Sequence, residues 1–306
     1  DFTLSNCVNS FFRRIYVLTQ YESVTLHRHL RDTWNVLSPD LGEFVDIVPP
    51  QQRLPNRWYS GTADAVFQNL YLLQQERPEW VLIVGGDHIY KMDYALLLEE
   101  DLDRGADASI VCIDVDTEAA KGFGIMGTDE SSRIVDFQEK PDEPTPMPGC
   151  DDRCLASMGI YLFNTEVLVR ALVRDAKDPE SSKDFGHDVI PRLIAERDVF
   201  AYNIKSEGQP GEGYWRDVGT LDSYWDANMD LIARHASEWG PADLAIGVPD
   251  RSVISSLEAA LATKGLTPFD PAGRSPEAHP VYGLIQCLQA LLESGDYAGV
   301  AALLRH

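Results

Sequence analysis

Short apolar runs rich in β-branched residues alternate along this chain with segments of helical period. Ile15–Leu18 is a predicted strand, and apolar residues recur at helical spacing after Thr62, a favoured N-cap residue. The continuously apolar run Val81–Val84 is typical of a strand buried on both faces of a sheet. A helix over Tyr94–Leu102 and a strand over Ser109–Ile113 follow. This βαβ rhythm predicts an α/β fold with a mostly parallel sheet.

The sequence pattern changes from Phe123 onward, where turn-rich segments join the predicted strands. The predicted strands are Gly124–Gly127, Arg133–Glu139, Leu155–Phe163 and Val199–Ile204, and the predicted helices are Thr165–Arg174 and Leu221–Arg234. We expect one α/β domain over residues 1–235, a linker over 236–250 and a helical segment of unknown role over 251–306.

The charge balance limits the partners that the chain can have. Its 306 residues include 49 acidic and 26 basic side chains, a net charge of −23. Binding to nucleic acid depends on Lys and Arg that neutralise phosphates, so a nucleic-acid partner is not expected. An acidic protein that handles anionic substrates concentrates a few cations locally, usually a divalent metal held by carboxylates.

Location is predicted from apolar runs and cysteines. No apolar run approaches 18 residues, and no basic segment followed by an apolar stretch opens the chain. The five scattered cysteines fit reduced thiols better than a network of disulfides. We therefore expect a cytoplasmic protein without a membrane partner.

The strongest local signal for chemistry is the strand Val81–Val84, which runs into Gly85-Gly86-Asp87-His88. Ligands of open parallel sheets bind beyond the carboxyl ends of the strands, and a carboxylate after two small residues suits a metal there. The alternative is a turn aspartate that caps the next element. His88 is a candidate base or ligand, but packing is the favoured interpretation.

A second candidate carboxylate is Asp217, just before a predicted helix. By default such an aspartate only begins the helix. If it faces Asp87, the two carboxylates could hold one Mg²⁺ against substrate phosphates. Lys140 ends a strand before Pro141 and is placed to meet a phosphate, although a lysine in such a place is usually only solvated.

Familiar catalytic motifs do not explain the chain. Gly122–Gly127 matches the dinucleotide fingerprint G-x-G-x-x-G literally, yet a turn follows it and no helix begins there. The sequence contains no nucleophile elbow, no Walker A loop and no H-E-x-x-H zinc motif.

Nine sequence blocks together resemble one family, the glucose-1-phosphate adenylyltransferases (ADP-glucose pyrophosphorylases) of bacterial glycogen synthesis. The blocks are DFTLSNCVNS, VLTQYES, EFVDIVPPQQR, WYSGTADAVFQNL, GGDHIYKMDY, FQEKP, LASMGIYLFNTEVL, DFGHDVIP and YWRDVGTLDSYWDANMDL. The resemblance covers about residues 1–232. It implies a Rossmann-like nucleotidyltransferase domain that joins ATP and α-D-glucose 1-phosphate into ADP-glucose and pyrophosphate, in a homo-oligomer that is a tetramer in this family.

The resemblance also implies roles for individual residues. Asp87 and Asp217 would hold the catalytic Mg²⁺, and Lys140 with Glu139 would form the glucose 1-phosphate site, the lysine binding the phosphate. The residues that resemble the sugar pocket are Ser157, Tyr161, Asp184, Phe185 and Trp215. The residues that match the nucleotide side are Gln52, Trp58, Tyr59, Gly61 and Thr62.

This sequence departs from the family pattern in three places. The Gly-rich phosphate loop of the family lies upstream of Asp1, Ser60 stands where many relatives have Arg, and no hexapeptide repeat of a β-helix follows Ile232. We therefore expect the chain as given to be weakly active or inactive and its sheet to have an unpaired strand edge. Two alternatives stay open: a non-catalytic member that binds sugar phosphate or partner subunits, and an enzyme that uses another nucleoside triphosphate.

Overall fold

A computed structural model describes residues 1–21, 23–50, 58–204 and 213–235, with side chains as far as residue 231. The chain divides into two compact units, Asp1–Gly219 and Thr220–His306. The predicted linker over 236–250 and helical segment over 251–306 lie outside the described residues, so the domain boundary near residue 235 stays a prediction.

The predicted strands and helices reappear among the described residues with similar bounds, and the structure adds further elements that the sequence analysis did not predict. The strands are β1 (Arg14–Leu18), β2 (Phe44–Val48), β3 (Trp80–Ile83), β4 (His88–Tyr90), β5 (Ala108–Asp116), β6 (Gly124–Thr128), β7 (Ile134–Glu139), β8 (Arg153–Asn164), β9 (Val199–Asn203) and β10 (Trp215–Asp217). The helices are α1 (Phe2–Asn9), α2 (Ser23–Thr33), α3 (Thr62–Gln68), α4 (Leu70–Glu76), α5 (Tyr94–Arg104), α6 (Thr117–Ala120), α7 (Thr165–Lys177), α8 (Ile190–Ile194) and α9 (Leu221–His235). A short 3₁₀ helix spans Pro39–Leu41 and a π-helical turn spans Phe185–Val189.

The largest sheet is built around β8. Its strand order is β7-β6-β8-β5-β9, and β3 pairs with β8 as well. The α/β class is confirmed. The parallel arrangement holds for β5 with β9 and, in a separate sheet, for β1 with β2, whereas β8 is antiparallel to β3, β5 and β6. The sheet is therefore mixed, because short connections such as the one between β6 and β7 return the chain as a hairpin and only longer crossovers allow parallel pairing.

Within the described part of the chain, β3 pairs with β8 alone and β1 with β2 alone. No helix in the described ranges of the chain has the length and apolar character that a membrane span requires.

The sheet is buried on both faces, which explains why its strands read as continuous apolar runs. Alternate residues of β5 belong to two different core clusters: Ile110 and Cys112 to one, Val111 and Ile113 to the other. Helices α3, α7 and α8 cover the first face, and α5 covers the second through Tyr94 and Leu97. Each fully buried Leu or Ile side chain stabilises the fold by about 2 kcal/mol relative to an exposed one.

A bulge in β8 interrupts this regular core. Val111 pairs with Ile160 but Cys112 pairs with Ser157, so Met158 and Gly159 have no opposite residue on β5. Gly159 has a φ of +66°, a conformation that favours glycine. Bulges re-aim neighbouring side chains and are common beside active sites.

Candidate active site

Asp217 is the last residue of β10, and Asp87 immediately precedes β4, the strand with which β10 pairs in a small antiparallel sheet. Asp217 pairs with His88 where β10 meets β4, and the Val218 N–H donates to the carbonyl oxygen of Asp87 at 2.9 Å. A Cβ atom built on Gly219 would lie 3.1 Å from Asp217 Oδ1 and 3.7 Å from Asp87 Oδ2. The two carboxylates therefore flank one point, as the metal hypothesis requires.

The donor set of this carboxylate pair fits a magnesium ion. The Gly219 N–H donates to Asp217 Oδ1 at 2.8 Å, and the side chain of Asp87 is 61% exposed. Within the residues that the structure describes, no group of three His, Cys, Asp or Glu side chains forms a metal cluster. Mg²⁺ is commonly bound by one or two carboxylates and completes its octahedron with waters and substrate phosphates.

His88 is packed beside this pair. Its ring lies edge-on to Trp215 with centroids 5.4 Å apart, and its Nε2 is 3.6 Å from Asp87 Oδ1. The Cβ positions of Gly85 and Gly159 are 3.1 and 3.3 Å from His88 Cε1, so both glycines give the imidazole its space. Packing, the favoured interpretation of this histidine, agrees with these contacts.

Trp215, which resembles a sugar-pocket residue, is buried next to the carboxylates. Its ring packs against His88 and, at 5.2 Å between centroids, against Phe123. The indole Nε1 is buried and has no hydrogen-bond partner among the residues that the structure describes. The Trp215 side chain therefore packs β10 against β4, through His88, and against Phe123, the residue before β6.

Four predicted sugar-pocket residues come together beyond the bulge of β8. Tyr161 interacts with the Ser157 hydroxyl, and its ring lies 5.6 Å from that of Phe185. Burial raises the pKa of Tyr161 to about 12, with a further contribution from the carboxylate of Asp184. The phenol therefore stays protonated at neutral pH and is available as a hydrogen-bond donor.

A second pair of carboxylates borders this group. A Cβ atom on Gly186 would lie 3.5 Å from Asp184 Oδ1 and 3.9 Å from Glu139 Oε2, with the ring of Phe137 at 3.8 Å. The carboxylates of the predicted residues Glu139 and Asp184 thus border a common space, which is open because residue 186 is a glycine. Carboxylates that accept hydrogen bonds are suited to sugar hydroxyls.

Lys140 has an unusual backbone conformation for its residue type. Its φ is +46°, and its N–H donates to the carbonyl oxygen of Phe123 at 3.1 Å. Non-glycine residues with positive φ are strained and cluster at functional sites. No carboxylate in the described ranges forms an ion pair with the exposed Lys140 side chain, which leaves its ammonium group available to an anion.

The predicted nucleotide-side residues lie around the start of α3, except that Gln52 is outside the described residues. Trp58 is 48% exposed, and the Tyr59 hydroxyl accepts a hydrogen bond from Asn69 Nδ2 at 2.9 Å. Thr62 was expected as an N-cap, but α3 begins at Thr62 and its N-cap is Gly61. The Thr62 hydroxyl instead donates to Asp184 Oδ2 at 2.9 Å and accepts from the Phe185 N–H at 3.1 Å.

The sequence interpretation missed four residues that shape this site. Gly186 and Gly219 leave room between pairs of carboxylates, Gly124 lies against the Phe137 ring and Glu139, and Lys183 holds the loop that carries Asp184. Gly186 and Gly219 follow Asp184 and Asp217, respectively, by two residues. This spacing of aspartate and glycine was the sequence signal that could have identified these two glycines.

Comparisons with known proteins find similarity over most of this chain. The model of the nucleotidyl transferase family matches residues 1–234. Glucose-1-phosphate adenylyltransferase 2 of Vibrio cholerae is 53% identical over 234 residues, which are 76% of this chain and 58% of that protein. The glucose-1-phosphate adenylyltransferase of Methylococcus capsulatus is 52% identical over 232 residues, 76% of this chain and 55% of the relative.

One relative matches almost the whole chain. The glucose-1-phosphate adenylyltransferase of Rhodopirellula baltica is 43% identical over 297 residues, 96% of this chain and 65% of that protein. The chain therefore spans somewhat more than half the length of these relatives.

Proposed function

Because this chain belongs to the nucleotidyl transferase family, we propose that it transfers the adenylyl group of ATP to α-D-glucose 1-phosphate, giving ADP-glucose and pyrophosphate. The names of its relatives support this choice of substrates. ADP-glucose is then the glucosyl donor for glycogen synthesis.

The observation that carries the proposal is the meeting of Asp87 and Asp217 beside Gly219. Bound there, Mg²⁺ would neutralise charge on the substrate phosphates. The bulge of β8 connects this pair to the sugar-side residues, since Gly159 contacts His88 and lies between Ser157 and Tyr161 in the sequence.

The chain's own residues can then do most of the positioning. Lys140 binds the phosphate of glucose 1-phosphate, and Glu139 and Asp184 accept hydrogen bonds from sugar hydroxyls. Trp58, Tyr59 and the segment around Gly61 line the nucleotide. A phosphate oxygen of the sugar attacks the α-phosphorus of ATP in line, so the chain provides orientation and charge neutralisation without a covalent intermediate.

The test is release of pyrophosphate from ATP and glucose 1-phosphate with and without Mg²⁺. It is run on this chain and on a chain extended at its N-terminus by the segment that the relatives carry. We expect release that depends on Mg²⁺ and on both substrates. Absence of release from both proteins contradicts the proposal.

The same assay separates the open alternatives. ATP, UTP, GTP and dTTP are compared at equal concentration, and a clear preference for a base other than adenine replaces ATP in the proposal. Binding of glucose 1-phosphate without turnover supports a non-catalytic member instead. We also propose that the protein is cytoplasmic and forms a homo-oligomer. Light scattering of the purified protein tests the oligomeric state.

A further inference from the structure

The start of α3 is attached to the loop that carries Asp184. The Ala63 N–H donates to the carbonyl oxygen of Lys183 at 2.9 Å. A Cβ atom on Gly61 would lie 2.3 Å from that same carbonyl oxygen, closer than any side chain can approach. Only glycine at position 61 allows this contact, so the two segments are held together through their backbones.

The loop is held from its other side by a buried lysine. The Lys183 ammonium group donates to the carbonyl oxygens of Asp175 and Asp178 at the end of α7. Lys183 itself is buried and has a φ of +66°. The backbone before Asp184 is therefore fixed between the end of α7 and the start of α3.

The hydroxyl of Thr62 completes this junction. It accepts from the Phe185 N–H at 3.1 Å, which leaves its proton directed toward Asp184 Oδ2 at 2.9 Å. Asp184 Oδ1 accepts from the His187 N–H at 3.1 Å. Each carboxylate oxygen thus has one protein donor, and its remaining lone pairs stay available to a ligand.

We propose that Thr62 is a positioning residue for the sugar side of the site, because its hydroxyl fixes the rotamer of Asp184. This inference rests on the proposed function. Thr62 stands in a segment that lines the nucleotide by resemblance, but its side chain is engaged with the sugar-side loop. The junction therefore holds the orientation of Asp184.

The test compares Thr62→Val, which keeps the shape and removes the hydroxyl, with Thr62→Ser, which keeps the hydroxyl. Thr117→Val, at the first position of α6, is a matched control outside this junction. The KM values for glucose 1-phosphate and ATP are measured separately, in whichever form of the protein makes ADP-glucose. We expect Thr62→Val to raise the KM for glucose 1-phosphate by about tenfold, which corresponds to about 1.4 kcal/mol.

The expected pattern includes a KM for ATP that changes less than about twofold and rescue by Thr62→Ser. Because Thr62 acts through Asp184, its substitution should add little in an Asp184→Asn background. A rise in the KM for ATP alone, or additive effects with Asp184→Asn, overturns the inference.

The inference and the proposed function can fail separately. An active wild-type protein whose Thr62→Val variant keeps its KM for glucose 1-phosphate overturns the inference alone. If the wild type makes no ADP-glucose, calorimetric titration of glucose 1-phosphate into the same variants decides. If Thr62→Val binds glucose 1-phosphate more weakly than both the wild type and Thr62→Ser, the role of Thr62 is supported. Equal binding by all variants, or no binding by any of them, overturns it.

Discussion

The carboxylates of Asp87 and Asp217 share one neighbouring point, the position where a side chain on Gly219 would begin. That point is 3.7 Å from Asp87 Oδ2 and 3.1 Å from Asp217 Oδ1. The two residues are far apart in the sequence, and the antiparallel pairing of β4 with β10 brings them together.

Asp87→Asn should lower kcat by about 100-fold or more, since removal of one charge-stabilising group typically costs 10²–10³ in rate. The side chain is 61% exposed, so the thermal midpoint should change little. The measurement is steady-state ADP-glucose formation together with thermal unfolding. Asp103→Asn, on the exposed side of α5, controls for the loss of one acidic charge. Loss of folding in Asp87→Asn would mean that the carboxylate is structural.

Gly219→Ala should weaken magnesium dependence without removing any carboxylate. The added methyl group comes within 3.1 Å of Asp217 Oδ1, so that carboxylate must move by a few tenths of an ångström. We expect the Mg²⁺ concentration for half-maximal activity to rise about tenfold, because metal sites tolerate only small departures of their ligands from productive geometry. An unchanged Mg²⁺ titration would show that the space beside Gly219 is not used.

Gly186→Ala should impair sugar binding while leaving the fold intact. The methyl group would make ordinary contacts of 3.5 to 3.9 Å with Asp184, Phe137 and Glu139, so the protein itself accommodates it. It would occupy the space between the two carboxylates, and one extra methyl group in a binding pocket typically costs 10- to 200-fold. The KM for glucose 1-phosphate should rise about tenfold.

The matched control for this change is Gly122→Ala, whose Cβ atom also meets its nearest atom at 3.5 Å. Both variants should keep the wild-type thermal midpoint. Equal KM values for glucose 1-phosphate in Gly186→Ala and the wild type would place the sugar elsewhere.

Lys140→Met should raise the KM for glucose 1-phosphate by about 10- to 100-fold, since a hydrogen bond to a charged group contributes about 1.5–3 kcal/mol. Lys121→Met removes another exposed lysine, one that is paired with Glu118. Its kinetic constants should stay at wild-type values. A larger effect of Lys140→Met on the KM for ATP would assign the ammonium group to the triphosphate.

The buried carboxyl of Asp101 should make stability depend on pH. Burial raises its pKa above the ordinary value, and the carboxylate of Asp107 adds to this effect, while Ser109 donates a hydrogen bond that opposes it. A raised pKa means that the folded state favours the protonated form. The contribution to stability is therefore present below the unfolded pKa and is lost as the pH rises through the folded one.

In the Asp101→Asn variant, the side chain at position 101 cannot ionise. The variant should therefore not show this loss of stability at higher pH. We expect the free energy of unfolding of the variant to increase relative to that of the wild type as the pH rises from 3 to 7. Denaturant unfolding at several pH values measures it, with Asp103→Asn as the control for a surface charge on the same helix. A difference that does not change with pH would contradict the expected ionisation.

The sequence predicted the elements of the fold well because local patterns determine them. The apolar run at Val81–Val84 and the helical spacing after Tyr94 reappear as β3 and α5. The antiparallel surroundings of β8 were not predicted, since strand direction depends on how the connections return the chain. The bulge at Gly159 was also missed, because one glycine in a strand does not by itself identify a bulge.

For the site, the sequence by itself determined which residue types are available: an aspartate after a buried strand, a lysine before a proline and another aspartate before a helix. Only the tertiary structure decided that Asp87 and Asp217 flank one point and that Glu139 and Asp184 flank another. It also decided that the Thr62 hydroxyl bonds to the sugar-side loop. The physical reason is that strand propensity and hydrophobic period act over a few neighbouring residues. Contacts between distant residues depend instead on strand pairing and on close backbone approaches, such as the one at Gly61, which no local pattern encodes.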